Sequence, residues 1–447
     1  MAMEGRVRTP DDESSRWSWP PAPAAVVDPG SLPPQPPPQR IKVLHVITRF
    51  WAGSGGNTLL SATGMDPDRY EVWVAAAPSG PLWAEAEAAG LTTVKLPEMR
   101  ETIAPADDLR TLWRLYRLIR RERFSVVHTH CSKAGFVGRL AARLAGSPVI
   151  VHTFHLLAAH DYLSPSRRMM YRALEWIVRP MADRYLAVAP RVAREAVETG
   201  IARAGMVKVV PSAVDLSSIP EREDPTVRAE LGIADDAPII GWVGRIVAQK
   251  APLDFVRMAA IVKESCPPAV FVMVGDASDE SAPLEDAVRN EADRLGVPIV
   301  FTGFRPDAPR LASAFDVYVV SSLYEGLGRG LTEAMAAARP IVATDVNGIR
   351  DVIEPGSTGL LSPPGDPDSL AANVSWMLSH PDEATRMGSQ AQQRVRGMFD
   401  QATMCDLLDR TYSELLGLPE PVSRPLRSPD PGRDLDAGAG RNGNVLV

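Results

Sequence analysis

Two glutamates, Glu325 and Glu333, stand with seven residues between them, and three of those seven are glycines: Gly326, Gly328 and Gly330. The run before them, Phe315-Asp-Val-Tyr-Val-Val-Ser-Ser322, has the β-branched and aromatic content of a buried strand. The run after them is alanine-rich and favours helix. Strand, glycine-rich loop and helix in that order gather unpaired backbone N–H groups and the positive end of a helix dipole at one spot. An anionic phosphate suits that spot. Carboxylates would repel a phosphate, so the two glutamates suit neutral, hydroxyl-rich groups on either side of it, a ribose and a sugar. A nucleotide sugar has that layout. The bland alternative for Glu333 is a solvated acid in the first turn of a helix.

A second run supplies the missing positive charge. Gly241-Trp-Val-Gly-Arg-Ile-Val-Ala-Gln-Lys250 follows a strand pattern. Arg245 offers a planar fork to phosphate oxygens and Lys250 a point charge. Together they can neutralise a nucleoside diphosphate as it leaves. That removes the need for a metal, and no metal ligands are expected. The Asp-Pro-Asp runs at 66–68 and 366–368 and the Asp-Leu-Asp at 434–436 fall in loops or a tail and read as turns.

The first half carries three further runs at strand ends. Phe50-Trp-Ala-Gly-Ser-Gly-Gly-Asn57 is glycine-rich, but it matches the dinucleotide fingerprint poorly, because Thr58 stands where a third glycine belongs. Val127-His-Thr-His-Cys-Ser-Lys-Ala-Gly135 and Val151-His-Thr-Phe-His155 concentrate histidines. Strand alternation points His128 and His130 the same way. A histidine at a strand end is otherwise often a satisfied structural residue.

These runs need elements to position them. At 447 residues the chain exceeds one core, so two domains are expected. Short apolar strands alternate with helical stretches: near 41–47, 70–75, 125–129, 148–152 and 184–188 in the first half, and near 238–243, 269–274, 298–301, 315–320 and 340–343 in the second. That alternation means βαβ units and parallel sheets. The expected organisation is a proline-rich disordered tail over 1–39, a first Rossmann-like domain over 40–215, a second over 216–400, the end of a C-terminal helix at 401–417 and a second disordered tail over 418–447. In parallel sheets ligands bind at the carboxyl ends of strands, so the active site is expected in the cleft between the halves.

A net charge of −7 and a pI near 5.6 argue against nucleic-acid binding. Three scattered cysteines make neither a disulfide framework nor a metal spacing, which fits a reducing cytosol. No signal peptide or membrane span is expected. Over 107–124 a helix places Arg110, Arg114, Arg117 and Arg121 on one face, opposite Leu112, Leu115, Tyr116 and Ile119. That basic face suits either solvent or peripheral contact with the inner face of an anionic membrane.

The Glu325-to-Glu333 run closely resembles the Glu-x7-Glu motif of retaining GT-B glycosyltransferases of family four, and the resemblance extends over about residues 41–400. It implies an α/β GT-B fold of two doubly wound domains facing across a cleft, with the last helix, about 383–416, crossing back onto the first domain. It implies that Glu333 binds the nucleotide ribose, that Glu325 contacts the donor sugar, and that Arg245 and Lys250 contact the diphosphate. The donor-binding set further comprises Gly326, Leu327, Gly328, Gly330, Leu331 and Gly244, with Gly55 and Gly56 from the first loop. His155 falls near the donor sugar, and His130 and Lys133 line the acceptor side. The implied activity is transfer of a hexose from a nucleotide sugar, UDP-linked by resemblance with GDP and ADP open, to a hydroxyl acceptor in polysaccharide or glycolipid synthesis, with retention and without metal. The competing readings are a silent nucleotide-sugar-binding subunit and a nucleotide-sugar epimerase.

The chain departs from the family pattern at three places. Ala251 replaces the usual glycine after Lys250, His155-Leu-Leu-Ala-Ala-His160 replaces His-Gly-His, and Pro211-Ser-Ala-Val-Asp215 replaces Pro-Asn-Gly-Val-Asp. Serine and alanine tolerate left-handed backbone less well than Asn-Gly. The acceptor side and the interdomain turn are where these changes are expected to tell.

Overall fold

The computed structural model describes residues 40–51, 53–158, 162–220, 222–278 and 281–419. The tails 1–39 and 420–447 and His160 lie outside the described residues. Residues up to Ala213 and from Gln401 onward form one unit, and Val214–Asp400 the other.

The first unit runs β1 (Ile41–Val46), α1 (Ser54–Thr63), β2 (Tyr70–Ala76), α2 (Leu82–Ala88), β3 (Thr92–Lys95), α3 (Pro105–Glu122), β4 (Val126–His130), α4 (Ser132–Ala145), β5 (Val149–Phe154), α5 (Pro165–Val178), β6 (Arg184–Ala187), α6 (Pro190–Glu198) and β7 (Val207–Val209). The second runs α7 (Thr226–Glu230), β8 (Ile239–Val243), α8 (Pro252–Ser265), β9 (Val270–Val274), α9 (Ala282–Leu295), β10 (Ile299–Gly303), α10 (Ala308–Ala312), β11 (Val317–Val320), α11 (Arg329–Ala336), β12 (Ile341–Thr344), α12 (Asn347–Val352), β13 (Leu360–Ser362), α13 (Pro367–Ser379) and α14 (Pro381–Met398). Helix α15 (Gln401–Leu416) closes the chain and belongs to the first unit.

The ten strands expected from the apolar runs are present within two residues, and β3, β7 and β13 are additional. Both sheets are parallel, in the orders β3-β2-β1-β4-β5-β6-β7 and β10-β9-β8-β11-β12-β13. Strands covered on both faces must be apolar throughout. Val43, Leu44, Val126, Val127, Ile239, Ile240, Ile341 and Val342 meet that demand, all 0–1% exposed or fully buried in the two cores. His45, equally buried, breaks the pattern in β1.

In an open parallel sheet the crevice for a ligand lies where the strand order reverses. The first sheet reverses between β1 and β4, the second between β8 and β11. The loops leaving those four strands are the Phe50–Gly53 loop, the His130–Ser132 turn, the Gly244–Lys250 loop and the Ser321–Gly328 loop. They are the loops in which the sequence concentrates glycines, histidines, cations and Glu325.

The return to the first unit is shorter than expected. Helix α14 stays with the second unit: a Cβ at Gly388 would lie 2.3 Å from the carbonyl oxygen of Ala338, so α14 seats against the chain just after α11. Only α15 returns. Its Asp409 accepts from Tyr70 Oη at 2.5 Å and pairs with Arg69 at 3.2 Å.

The backbone reverses two expectations. Neither Ser212 nor Ala213 has a positive φ, and Asn57 Oδ1 accepts from both Ser212 Oγ (2.8 Å) and the Ala213 amide (3.0 Å). That turn has no need of Asn-Gly. Ala251 does sit in the left-handed region, at φ 44° and ψ 56°. A Cβ in that conformation costs about 1–2 kcal/mol, which glycine avoids. Ala251→Gly is therefore expected to raise unfolding free energy by about 0.5–1 kcal/mol, net of glycine's extra chain entropy. Urea unfolding followed by circular dichroism checks this, and a loss of stability would contradict it.

Candidate active site

In the second unit two loops leave β8 and β11 and are fastened to each other. Ser321 Oγ hydrogen-bonds to the Lys250 carbonyl oxygen (2.8 Å) and accepts from Trp242 Nε1 (3.2 Å). The Leu323 amide donates to the Gln249 carbonyl (2.8 Å), and Gln249 Nε2 donates to the Tyr324 carbonyl (3.0 Å). Between these ties Lys250 Nζ is ion-paired to Glu325 Oε1, which also accepts from Ser322 Oγ at 2.7 Å. Glu325 is only 5% exposed.

The glycines are dictated by space. Gly328 caps α11 at φ 83°. A Cβ on Gly330 would lie 2.6 Å from the Tyr318 hydroxyl, and one on Gly348 only 1.7 Å from the Gly326 carbonyl oxygen. Helix α11 thus starts against the floor of a recess whose walls include Lys250, Tyr318, Ser322, Glu325, Gly328 and Leu331. Gly326, Leu327 and Leu331 are buried beneath it. The first amides of α11 have no partner within the helix. Glu333, one turn on, is half-buried and held at Oε1 by Arg329 Nη2 (2.7 Å). Tyr318 sits near both carboxylates: burial first, then Glu333 and Glu325, pushes its hydroxyl well above its ordinary value. Arg245 is exposed, beside half-buried Gly244, and has no ion-pair partner among the described residues. Lys250, Glu325, Gly328 and Gly330, from both motifs, are therefore assembled around one recess. Sequence reasoning missed Ser322, Tyr318 and Arg329, because strand and helix patterns do not say which side chain meets which.

In the first unit Gly53 (φ 80°) precedes α1, and Gly55 and Gly56 lie buried in its first turn. A Cβ on Gly55 would stand 3.2 Å from the Phe50 carbonyl carbon. Across the switch point stands a row of histidines. Hydrogen bonds join His45 Nδ1 to His130 Nε2 (2.9 Å) and His130 Nδ1 to His155 Nε2 (3.1 Å). His128 stacks on His130 with centroids 4.3 Å apart, as strand alternation requires, and bonds Tyr412 Oη (2.6 Å) and Thr153 Oγ1 (2.7 Å). His152 bonds Thr129 Oγ1 at 2.9 Å.

A neutral imidazole has one N–H and one bare nitrogen. His45 Nε2 is buried with no hydrogen-bond partner. Placing the bare nitrogen there spares an orphaned buried N–H. Every N–H in the row then donates toward His155, whose Nδ1–H is left as the donor at the end of the row. His130, 1% exposed, relays that order. Lys133 is likewise committed: its ammonium pairs with Asp108 (2.6 Å) and donates to the Thr102 carbonyl (2.6 Å), tying α4 to α3. His45 and Tyr412 were not singled out from sequence, although a histidine inside an apolar strand was a visible signal.

Nitrogens of His45, His128 and His130 all lie within 4.8 Å of one another, the closest approach to a metal-ligand set among the described residues. Both nitrogens of His128 are already engaged by Tyr412 and Thr153, so the set does not fit a metal without breaking those bonds.

A family model described as glycosyl transferases group 1 matches residues 223–394, and one described as Glycosyltransferase Family 4 matches residues 58–218. A D-inositol 3-phosphate glycosyltransferase of Streptosporangium roseum is 32% identical over 67% of this chain and 73% of its own. The chain belongs to the GT-B glycosyltransferases. A UDP-Gal:alpha-D-GlcNAc-diphosphoundecaprenol alpha-1,3-galactosyltransferase of Escherichia coli is 28% identical over 84% of this glycosyltransferase and 98% of its own length. Among solved structures, Anabaena HepE in complex with UDP and glucose matches with TM-score 0.73, 21% identity and cover of 84% of this chain and 100% of that one. Sucrose-phosphate synthase of Thermosynechococcus elongatus matches with TM-score 0.72 and 22% identity, covering 84% and 99%. Those likenesses carry the GT-B fold.

The histidine row makes a pH prediction. All five histidines titrate below their ordinary value of 6.5, burial being the first cause in each: His155 is lowered to about 4 and His45 to about 3, while His128, His130 and His152 are lowered well below it, His152 also by Arg139. Unfolding below pH 6.5 therefore takes up protons, and stability rises with pH there. It is complete above 6.5 and lost as the pH falls toward the folded values. The melting temperature should be flat above about pH 7 and fall between about pH 6.5 and 5, where ordinary carboxylates are still ionised. A melting temperature unchanged across that interval would contradict burial of the row.

Proposed function

We propose that this enzyme is a retaining, metal-independent hexosyltransferase of family four that moves a sugar from UDP to a hydroxyl of a lipid-linked acceptor in polysaccharide or glycolipid assembly. The observation that carries the reading is the corner at the β8/β11 switch point. Its recess holds a Lys250 fixed by Glu325 beside the start of α11, and the same β8 loop carries exposed Arg245 with no ion-pair partner among the described residues. The E. coli relative is named for UDP-Gal and a diphosphoundecaprenol acceptor, and the Anabaena structure holds UDP and glucose. Both support a UDP donor, and the first supports a lipid-linked acceptor.

Lys250 has three N–H donors. Glu325 takes one, which leaves two for diphosphate oxygens. Arg245 adds a bidentate fork and α11 its N-terminal amides. These groups stabilise the charge that grows on the diphosphate as the bond to the sugar breaks. Glu333, steadied at one oxygen by Arg329, accepts from the ribose hydroxyls with the other. Glu325 holds the sugar. The departing diphosphate then guides the incoming hydroxyl on the face it leaves, which retains configuration.

A thermal-shift screen of UDP, GDP and ADP tests the donor site. UDP should raise the melting temperature, and Glu333→Ala should weaken UDP binding about tenfold. Transfer should survive a chelator, and the anomeric configuration in the product, read by NMR, should match that of the donor. Should UDP bind with no transfer detected, the silent-subunit reading takes over, and should none of the three nucleotides bind, the donor-site reading fails. Conversion of the UDP-sugar with no acceptor present would mean an epimerase.

A further inference from the structure

Helix α5 leaves an apolar stripe uncovered. Of its fourteen residues only Glu175 and Val178 are buried. A helix on a sheet normally buries its apolar stripe. Here the buried tie is ionic: Glu175 Oε2 accepts from Arg139 Nη2 at 2.6 Å, and Arg139, 0% exposed, also donates to the Gly135 carbonyl (2.8 Å) and Tyr185 Oη (3.3 Å). Val178 is buried beside it, while four large apolar residues face the other way. Met169 is 55% exposed, Met170 40%, Trp176 44% and Ile177 58%. At about 100° per residue they share one stripe with exposed Ala173 at its centre. Arg167 flanks that stripe on one side and Arg172 on the other. The helix has no acidic residue besides Glu175, which Arg139 neutralises. In a chain of net charge −7, this surface is locally positive.

Five of the exposed large hydrophobic residues, Tyr162, Met169, Met170, Trp176 and Ile177, lie on α5 or just before it. Nine of the twelve exposed large hydrophobic residues among those described fall between residues 103 and 177. Helix α3, the expected basic face, is less suited to an anion. Arg110 pairs with Asp107 (2.9 Å), Arg114 with Glu98 (3.0 Å) and Arg121 with Glu122 (2.8 Å).

We infer that the outward stripe of α5 docks this enzyme on an anionic lipid surface, with Met169, Met170, Trp176 and Ile177 entering the interface and Arg167 and Arg172 meeting lipid phosphates. An apolar stripe edged by arginines matches a headgroup boundary in both respects. A second copy of the chain fits worse, because a two-fold contact would set this basic helix against itself. The inference deepens the lipid-acceptor reading, but its test does not depend on that reading.

Full-length protein is floated with vesicles of phosphatidylcholine alone and of equal parts phosphatidylcholine and phosphatidylglycerol. The wild type should bind the anionic vesicles at least about tenfold better, and salt should weaken that binding. Met169→Ser with Ile177→Ser, and separately Arg167→Ala with Arg172→Ala, should each lose about tenfold, with melting temperature and UDP affinity unchanged. Equal binding to both vesicles, or variants that bind as well as the wild type, would overturn the assignment. So would a wild-type dimer in light scattering that Ile177→Ser converts to monomer, since the second copy would then be the occupant. Loss of UDP binding in the wild type would strike the donor site and leave this surface standing.

Discussion

The ion pair between Lys250 and Glu325 is the interaction on which the second unit's chemistry rests. It joins the loop that leaves β8 to the loop that leaves β11, at the point where the strand order reverses. A buried pair adds little net stability, but losing one partner leaves an uncompensated charge and is costly. Ser322 satisfies the carboxylate further, and Ser321 and Gln249 fasten the backbones on either side. The ammonium is therefore placed before any ligand arrives, so little ordering remains to oppose binding. Preorganised charge of this kind acts most strongly where charge develops during reaction.

The first unit solves a different problem with the same topology. Its switch point is lined by imidazoles instead of an ion pair. Burial keeps them neutral, and neutrality lets the row pass one hydrogen-bond direction from His45 through His130 to His155. Tyr412 from α15 closes the row at His128. The C-terminal helix thus completes the packing of the first unit, although the whole second unit precedes it in the chain.

The switch-point loops could be read from sequence because glycine needs and strand patterns are local. Gly328 and Gly330 announce a cap and a close approach, and Glu325 and Glu333 frame them. Partnerships across long separations could not be read: Tyr412 meets His128 over 284 residues, and Lys250 meets Glu325 over 75. Backbone conformation was also misjudged where it was inferred from residue type alone. Ser212 and Ala213 adopt ordinary φ because Asn57 holds their turn, whereas Ala251 bears the left-handed strain. The short strands β3 (Thr-Thr-Val-Lys), β7 (Val-Lys-Val) and β13 (Leu-Leu-Ser) mix polar residues into their few positions and lack the apolar run that marks the equally short β11 and β12.

The central claim is that Arg245 and Lys250 serve the diphosphate. The most direct measurement is the affinity ratio of UDP to UMP, by calorimetry, for the wild type, Arg245→Met and Lys250→Met. Arg245 is exposed and outside the buried pair, so its variant should leave the fold intact. Each substitution is expected to shrink the preference for UDP by about tenfold while leaving UMP affinity within about twofold. A preference for UDP unchanged in both variants, or an equal loss for both nucleotides, would contradict the account.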